Sequence, residues 1–406
     1  MRRVRAEDRD GLGAGGFALL AALSALSPLT STFILPALPG LAVDLAASLP
    51  AAQLAMSAGF GGLAVGLLVV GPMSDRFGRR RPLSIGLVAY VLTTVLCAIA
   101  PDVATLVLFR LLQGVAGGAI WVITRAVVRD AYGGSGSSGA KVFSQLAMVT
   151  GIAPVLAPFL AGQLLLFTDW RGLLAVLAVV GALVGLLAVA FMQETLPPHR
   201  RQTQGIRAQA KAFASILRAP YFRGVLALAV VQSAMYFTFV MTSPFVFEGQ
   251  FGMSPQAFGV FFAGSALTIA LGNQVNVLML RRWPSAGALH ILLLIAVVGA
   301  VGFLIAAVVG APLPVVIAVL LLVPFAAGAS NANITALGLA PYAASAGSAA
   351  AVLGASQFGM AVVVPPLVSL FGVRASTMGA ALVITALGAW FIGLALRSRI
   401  DRQAWG

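Results

Sequence analysis

Acid is what this sequence has least of. Eleven Asp and Glu stand against 25 Lys and Arg in 406 residues, a formal net charge of +14. There are two histidines, His199 and His290, and one cysteine, Cys97. A single cysteine excludes an intrachain disulfide framework; it lies within an apolar run and reads as an inert core residue. Clustered His, Cys, Asp or Glu, the raw material of a metal centre or a nucleophile–base pair, is missing from the apolar segments. No catalytic residue, metal site or cofactor is expected, which argues against a membrane-embedded enzyme. The polar tails are too short for the extramembrane domain of a receptor.

What is present is apolar surface. Hydrophobic residues make up 60% of the chain, and the mean hydropathy is +1.02. A bilayer span needs about 20 apolar residues. The chain divides into twelve such runs, near 16–38, 51–71, 82–100, 103–124, 143–167, 172–192, 222–245, 256–280, 286–309, 313–338, 346–371 and 374–396. The expected architecture is an all-α integral membrane protein whose twelve helices form two pseudo-symmetric six-helix bundles, residues 16–192 and 222–397. A basic linker, 193–221, joins them, and polar tails, 1–15 and 398–406, flank them. A short helix on the membrane surface is expected from Ile206 to Leu217. The first run follows Met1-Arg2-Arg3 as a signal peptide would, but it is too long for an h-region and reads as a retained span.

The positive charge follows topology. Of the 25 Lys and Arg, 22 fall where alternating loops face the cytoplasm, the exceptions being Arg110, Arg171 and Arg374. The basic balance therefore needs no nucleic-acid partner. Both termini are expected in the cytoplasm of a bacterial cell, with the lipid bilayer as partner and the chain as a monomer. The halves echo one another: Arg281-Arg282 follow Asp75-Arg76 by about 205 residues, and Pro365-Pro366 follow Pro158 at a similar offset.

One stretch organises the rest: Gly71-Pro72-Met73-Ser74-Asp75-Arg76-Phe77-Gly78-Arg79-Arg80-Arg81-Pro82. So dense a charge cluster between two apolar runs cannot sit in hydrocarbon, so it reads as a tight loop at a membrane face. Asp75 and Arg79 are four apart and pair if the stretch is helical. Asp130 ends the fourth run at the same face. The spacing Gly-x-x-x-Asp-Arg-x-Gly-Arg-Arg strongly resembles the loop between helices 2 and 3 of the major facilitator superfamily. That resemblance implies a conformational latch between the two halves, built from Asp75, Arg76, Gly78, Arg79, Arg80 and Asp130.

In the fourth run, Arg110 shares a helical face with Gln113, Gly117 and Trp121. An arginine inside a span either functions there or snorkels to the interface. Arg-x-x-Gln-Gly resembles the superfamily's helix-4 motif, which implies a part in proton transfer. The fifth run, with Gly151, Pro154, Pro158 and Gly162, resembles the antiporter motif of drug exporters, although Ala157 and Ala161 stand where glycine is usual. Its two prolines, one turn apart, each delete a helix hydrogen bond and bend the helix.

Stretches in both halves narrow the resemblance to the Bcr/CflA branch of the drug:proton antiporters. They include Leu35-Pro36-Ala37-Leu38-Pro39, Arg125-Ala126-Val127-Val128-Arg129-Asp130, Trp170-Arg171, Glu194-Thr195-Leu196-Pro197 and Gly252-Met253-Ser254-Pro255. The resemblance implies export of amphipathic antibiotics, chloramphenicol-like or bicyclomycin-like, in exchange for protons. One departure bears on coupling. Four residues before Pro36 the branch usually carries an aspartate, and here stands Thr32. No acid falls mid-span. Coupling then uses an edge acid such as Asp44 or Glu248, or involves a charged substrate, or is absent, leaving an uncoupled facilitator or a metabolite exporter. Candidate lining of a substrate cavity is Thr32, Phe33, Gln113, Trp121, Gln232, Tyr236, Asn273, Asn276, Asn331, Asn333 and Gln357. A few polar groups in an apolar pocket can orient a small molecule, and the same amides can instead tie helices together.

Overall fold

The computed structural model describes residues 14–132, 137–201 and 213–403. Among them, eleven helices are long and apolar enough to cross a membrane, and Ser137–Leu164 supplies a twelfth. In chain order they are α1 (Ala14–Thr32), α2 (Leu49–Phe77), α3 (Arg80–Ala98), α4 (Val103–Tyr132), α5 (Ser137–Leu164) and α6 (Trp170–Phe191). Then come α7 (Pro220–Pro244), α8 (Pro255–Leu280), α9 (Ser285–Val308), α10 (Leu313–Leu320 and Leu322–Leu339), α11 (Ala346–Ser369) and α12 (Ala375–Gln403). Polar and proline residues mark where several begin. Asp169 and Ser254 accept hydrogen bonds from the Gly172 and Ala257 backbone N–H groups, capping α6 and α8.

The packing repeats with a shift of six helices. In the first half α2 packs on α4, α3 on α4 and α6, and α1 on α5 and α6; in the second, α8 packs on α10, α9 on α10 and α12, and α7 on α11 and α12. Two seams join the halves, α2 against α11 and α5 against α8. The α2 and α4 backbones come into contact because glycines remove the side-chain layer between them. A Cβ on Gly62 would collide with the Leu111 carbonyl oxygen, and one on Gly114 with that of Gly59; Gly66 and Gly118 stand nearly as close to the Val115 and Leu63 carbonyls.

Several boundaries differ from the sequence expectation, each for a local reason. The first run does not stay helical to residue 38. It breaks after Thr32, passes through a 3₁₀ turn at Leu35–Ala37 and resumes as Leu38–Asp44, because Pro36 and Pro39 cannot donate to a continuous ladder. The tenth run breaks at Leu321, where Pro324 deprives the Leu320 carbonyl of its donor. After Pro244, α7 continues as a π-helix over Phe245–Gln250. The second span extends to Phe77, so Asp75 and Arg76 belong to the last helical turn rather than to a loop. Of the expected surface helix at 206–217, residues 213–217 are helical and 206–212 lie outside the described residues.

Candidate functional site

Three assemblies lie on the fold, two polar and one largely aromatic. The first surrounds Arg79, which has only 2% of its surface exposed and stands between α2 and α3 at the arginine-rich end of the molecule. Its Nη1 meets Asp75 Oδ1 at 2.6 Å and donates to Ser74 Oγ at 2.8 Å, while its Nε meets Asp130 Oδ2 at 2.8 Å. Burial opposes the charge on Arg79, but the hydrogen bonds to Asp130 and Asp75 outweigh it and hold the guanidinium above its ordinary value. Glu194, just past α6, accepts from the backbone N–H groups of Arg79 (2.8 Å), Arg80 (3.3 Å) and Leu196 (3.0 Å). Burial works against its charge too, yet those donors win and its carboxyl is held below the usual glutamate range. Gly78 makes the clasp possible: its φ is +90°, and a Cβ there would strike the Glu194 carboxylate.

The second assembly is buried inside the first half. Arg110 Nη1 donates to Gln113 Oε1 at 2.6 Å, Gln113 Nε2 to Thr94 Oγ1 at 2.7 Å, and Thr94 Oγ1 to the Tyr90 carbonyl at 2.6 Å. The Tyr90 hydroxyl bonds Thr30 on α1. Arg110 is 2% exposed, and none of its partners among the described residues is a carboxylate.

The third lies between the halves. Trp121 on α4 and Phe60 on α2 meet Phe358 on α11 with ring centroids 5.8 and 6.0 Å apart, and Phe60 also meets Phe237 on α7 at 5.0 Å. Tyr236 packs on Phe237 at 5.6 Å. Beyond this aromatic layer, away from the arginine-rich end, the halves are sealed. Gln53 Nε2 donates to the Met241 carbonyl (3.2 Å), the Ser369 hydroxyl bonds Gln53 Oε1, and Gln256 Nε2 donates to the Gly162 carbonyl (3.0 Å). Toward the arginine-rich end the seams part. On α5, Gly162 and Pro158 are buried and Met148 and Gly151 exposed; on α8, Phe258 and Gly259 are buried and Asn273 and Gln274 exposed. A cleft therefore opens at one end and stops at the aromatic layer.

Comparison with known proteins agrees with this arrangement. The family model of the Major Facilitator Superfamily matches residues 20–365. The chain belongs to the major facilitator superfamily. It is 33% identical over 371 residues to the uncharacterized MFS-type transporter YdgK of Bacillus subtilis, covering 91% of this chain and 92% of that one. It is 27% identical over 380 residues to the bicyclomycin resistance protein homolog of Haemophilus influenzae, covering 92% and 94%. Over 265 residues it is 30% identical to the multidrug resistance protein MdtL of Salmonella heidelberg, 65% of this chain and 64% of that one. Among solved structures, a mutant of the nucleoside transporter NupG superposes with a TM-score of 0.75 at 15% identity, covering 95% of this chain and 99% of that one. A D-xylose-proton symporter gives 0.68 at 18%, covering 92% and 96%. A superfamily member of this kind is a multi-pass membrane transporter and not an enzyme.

Within this superfamily chain the sequence-derived residues separate. The latch residues come together, but within the first half: Arg79 gathers Asp75 and Asp130, Arg80 Nη2 donates to the Val189 carbonyl, and Arg76 lies over the Phe77 ring. Among the described residues their partners belong to the first half and to the linker at Glu194, so the expected bond across to the second half is not made in this conformation. Thr32 is turned away from Arg110. Its hydroxyl donates to the Pro154 carbonyl at 3.2 Å, the carbonyl left without a helical donor by Pro158. Phe33 is packed in the core and borders a groove formed by α1, α5 and α6 of its own half, not the cleft. Three amides expected in the cavity instead tie helices. Gln232 Nε2 donates to the Ala327 carbonyl at 2.7 Å, and Asn276 and Asn333 exchange hydrogen bonds of 3.2 and 2.8 Å. Asn331 and Gln357 bond at 3.0 Å and remain accessible. Asp44 is held by Trp170 Nε1 (3.0 Å) and Arg171 (3.4 Å) at the sealed end. Glu248 stands at that end also, with Oε1 buried and unpartnered.

Two residues enter the sequence analysis only within longer stretches and carry no site role there. Glu194 carried a signal, a lone acid in a basic linker. Arg125 read as one more topogenic arginine, yet it lies one turn beyond Trp121 on the same face of α4, its guanidinium 4.7 Å over the indole ring.

Proposed function

We propose that this transporter exports small amphipathic, drug-like molecules by alternating access, with the arginine-rich end in the cytoplasm. The halves 16–192 and 222–397 rock about the aromatic layer. The observation that carries the reading is the cleft: open toward the loops that bear the arginines, walled by Trp121, Phe60, Phe237 and Phe358, and closed beyond them by Gln53, Ser369 and Gln256. Such a chamber accepts an apolar ring from the side where positive-inside topology places the cytoplasm. The similarity to proteins named for bicyclomycin and multidrug resistance supports the same substrate class. In this reading the Asp75–Arg79–Asp130 cluster shapes the α2–α3 turn that engages the second half in the opposite state. Packing of α5 on α8 through Pro158 and Gly162 supplies the pivot on the sealed side.

The proposed driving force is a proton gradient. With Thr32 occupied by the α5 kink and Asp44 ion-paired, Glu248 is the acid we assign to carry the proton. A second reading, an uncoupled facilitator, is favoured by one observation: no carboxylate among the described residues lies in the cleft. Inside-out vesicles distinguish the two. Uptake of labelled chloramphenicol that needs an imposed proton gradient, collapses with an uncoupler and is lost in Glu248→Gln supports coupled export. Equilibration indifferent to the uncoupler establishes the facilitator.

A further inference from the structure

The charge of the cleft is one-sided. Seven of the acids have described surroundings, and none lies in the cleft: six are partnered, and the seventh, Glu248, stands unpartnered at the sealed end. Asp75 and Asp130 bind Arg79, and Glu194 binds the Arg79–Arg80 backbone. Asp44, Asp102, Asp169 and Glu248 lie at the sealed end, Asp44 against Arg171, Asp102 capping Thr105 and Asp169 capping Gly172. Against this, Arg125 is exposed, has its guanidinium carbon 4.7 Å from the Trp121 ring centroid, and has no hydrogen-bond or ionic partner among the described residues. A guanidinium held over an indole without an acceptor keeps its N–H groups, the fork that fits a carboxylate, available. The Trp121 Nε1–H beside it is buried and likewise without an acceptor. One turn of helix away is the aromatic layer of Phe60, Phe237 and Phe358, joined to Trp121 by ring contact.

We infer that the cleft selects aromatic monoanions, compounds in which a carboxylate or similar oxyanion is attached to a flat apolar ring. The oxyanion takes the edge of Arg125 and the Trp121 N–H, and the ring enters the aromatic layer. An organic cation of the same shape meets an uncompensated guanidinium and no acid, which penalises it. Arg110, buried a few turns deeper without a carboxylate partner, adds to the same field. This inference rests on the transporter reading above and gives the substrate its charge.

The test uses the full-length protein, purified in a neutral detergent, and a matched pair of probes: 2-naphthoate and 2-naphthylmethylammonium. Calorimetric titration is expected to show naphthoate binding at least tenfold tighter. Arg125→Gln removes that preference, Arg125→Lys keeps a preference for the anion, and Trp121→Phe weakens naphthoate about threefold. Equal or tighter binding of the ammonium, no binding of naphthoate, or naphthoate affinity indifferent to Arg125→Gln in a monodisperse variant overturns the inference. Transport separates this from the exporter reading. Chloramphenicol moved by vesicles whose protein ignores naphthoate sinks the anion inference and leaves export standing. Arg125-dependent naphthoate binding without movement of any probe does the reverse.

Discussion

The two halves share a packing diagram and almost no chemistry. The first half puts charge in its interior: Arg79 between two carboxylates, and Arg110 on a chain of neutral partners running to Tyr90. At the equivalent turn of the second half, Arg281 and Arg282 are exposed, and the buried side-chain hydrogen bonds between that half's helices are made by amides, Gln232 on a carbonyl and Asn276 on Asn333. The helix pair α2–α4 is joined by glycines with backbones in contact; its counterpart α8–α10 uses Gly272, Gly328 and the amide pair. One backbone plan therefore tolerates two kinds of adhesive, close backbone approach and side-chain hydrogen bonding. Buried arginine, found among the described residues in the first half alone, biases where an ion or ionic substrate can be felt.

The largest effect expected from this contrast is at Gly114. Gly114→Ala forces a methyl into the Gly59 carbonyl and is expected to cost more than about 3 kcal/mol, seen as loss of monodisperse protein on size exclusion. Gly151→Ala, with open space around it, leaves the elution profile unchanged. Next is the buried charge. Arg79→Ala strands two carboxylates and is expected to lower stability by about 3–5 kcal/mol in a denaturation assay, whereas Arg281→Ala stays within about 0.5 kcal/mol. A comparable loss at Arg281 would erase the asymmetry between the halves. Smaller still is the amide pair: a double-mutant cycle over Asn276→Ala and Asn333→Ala is expected to return a coupling of about 0.6 kcal/mol and no more than about 1.7. The smallest is the linker clasp. A carboxyl held low by the fold contributes stability above the usual glutamate range and loses it as pH falls through its folded value. The melting temperature of the native protein should therefore decline on acidification more steeply than that of Glu194→Gln, with the two curves differing most near neutral pH and converging in acid.

Much of this was legible in the sequence because helical spacing carries it. Asp75 to Arg79 and Arg110 to Gln113 are intrahelical or single-turn offsets, so the pairs could be read from position alone. The spans were legible as apolar runs, and the breaks at Pro36 and Pro324 had their signal in proline. The amides were not legible. Spacing places Gln232 or Asn276 on a face of its own helix, but which neighbour that face meets depends on packing between helices far apart in the chain. Glu194 reaches Arg79 across 115 residues, and no local rule anticipates that. The contact of Arg125 with Trp121 was hidden by its company, since near Arg129 every arginine reads as topogenic.

The glycine contact between α2 and α4 has a mechanical consequence. Two cylinders that touch metal to metal, with no cushion between them, behave as a weld; two separated by a layer of rings behave as a bearing. The α2–α4 joint is of the first kind, and the α2–α11 seam, where Phe60 stacks on Phe358, is of the second. Tolerance to play is therefore distributed unequally around α2. In the proposed rocking it would travel as a fixed spoke of the first half, with slippage absorbed on its other flank.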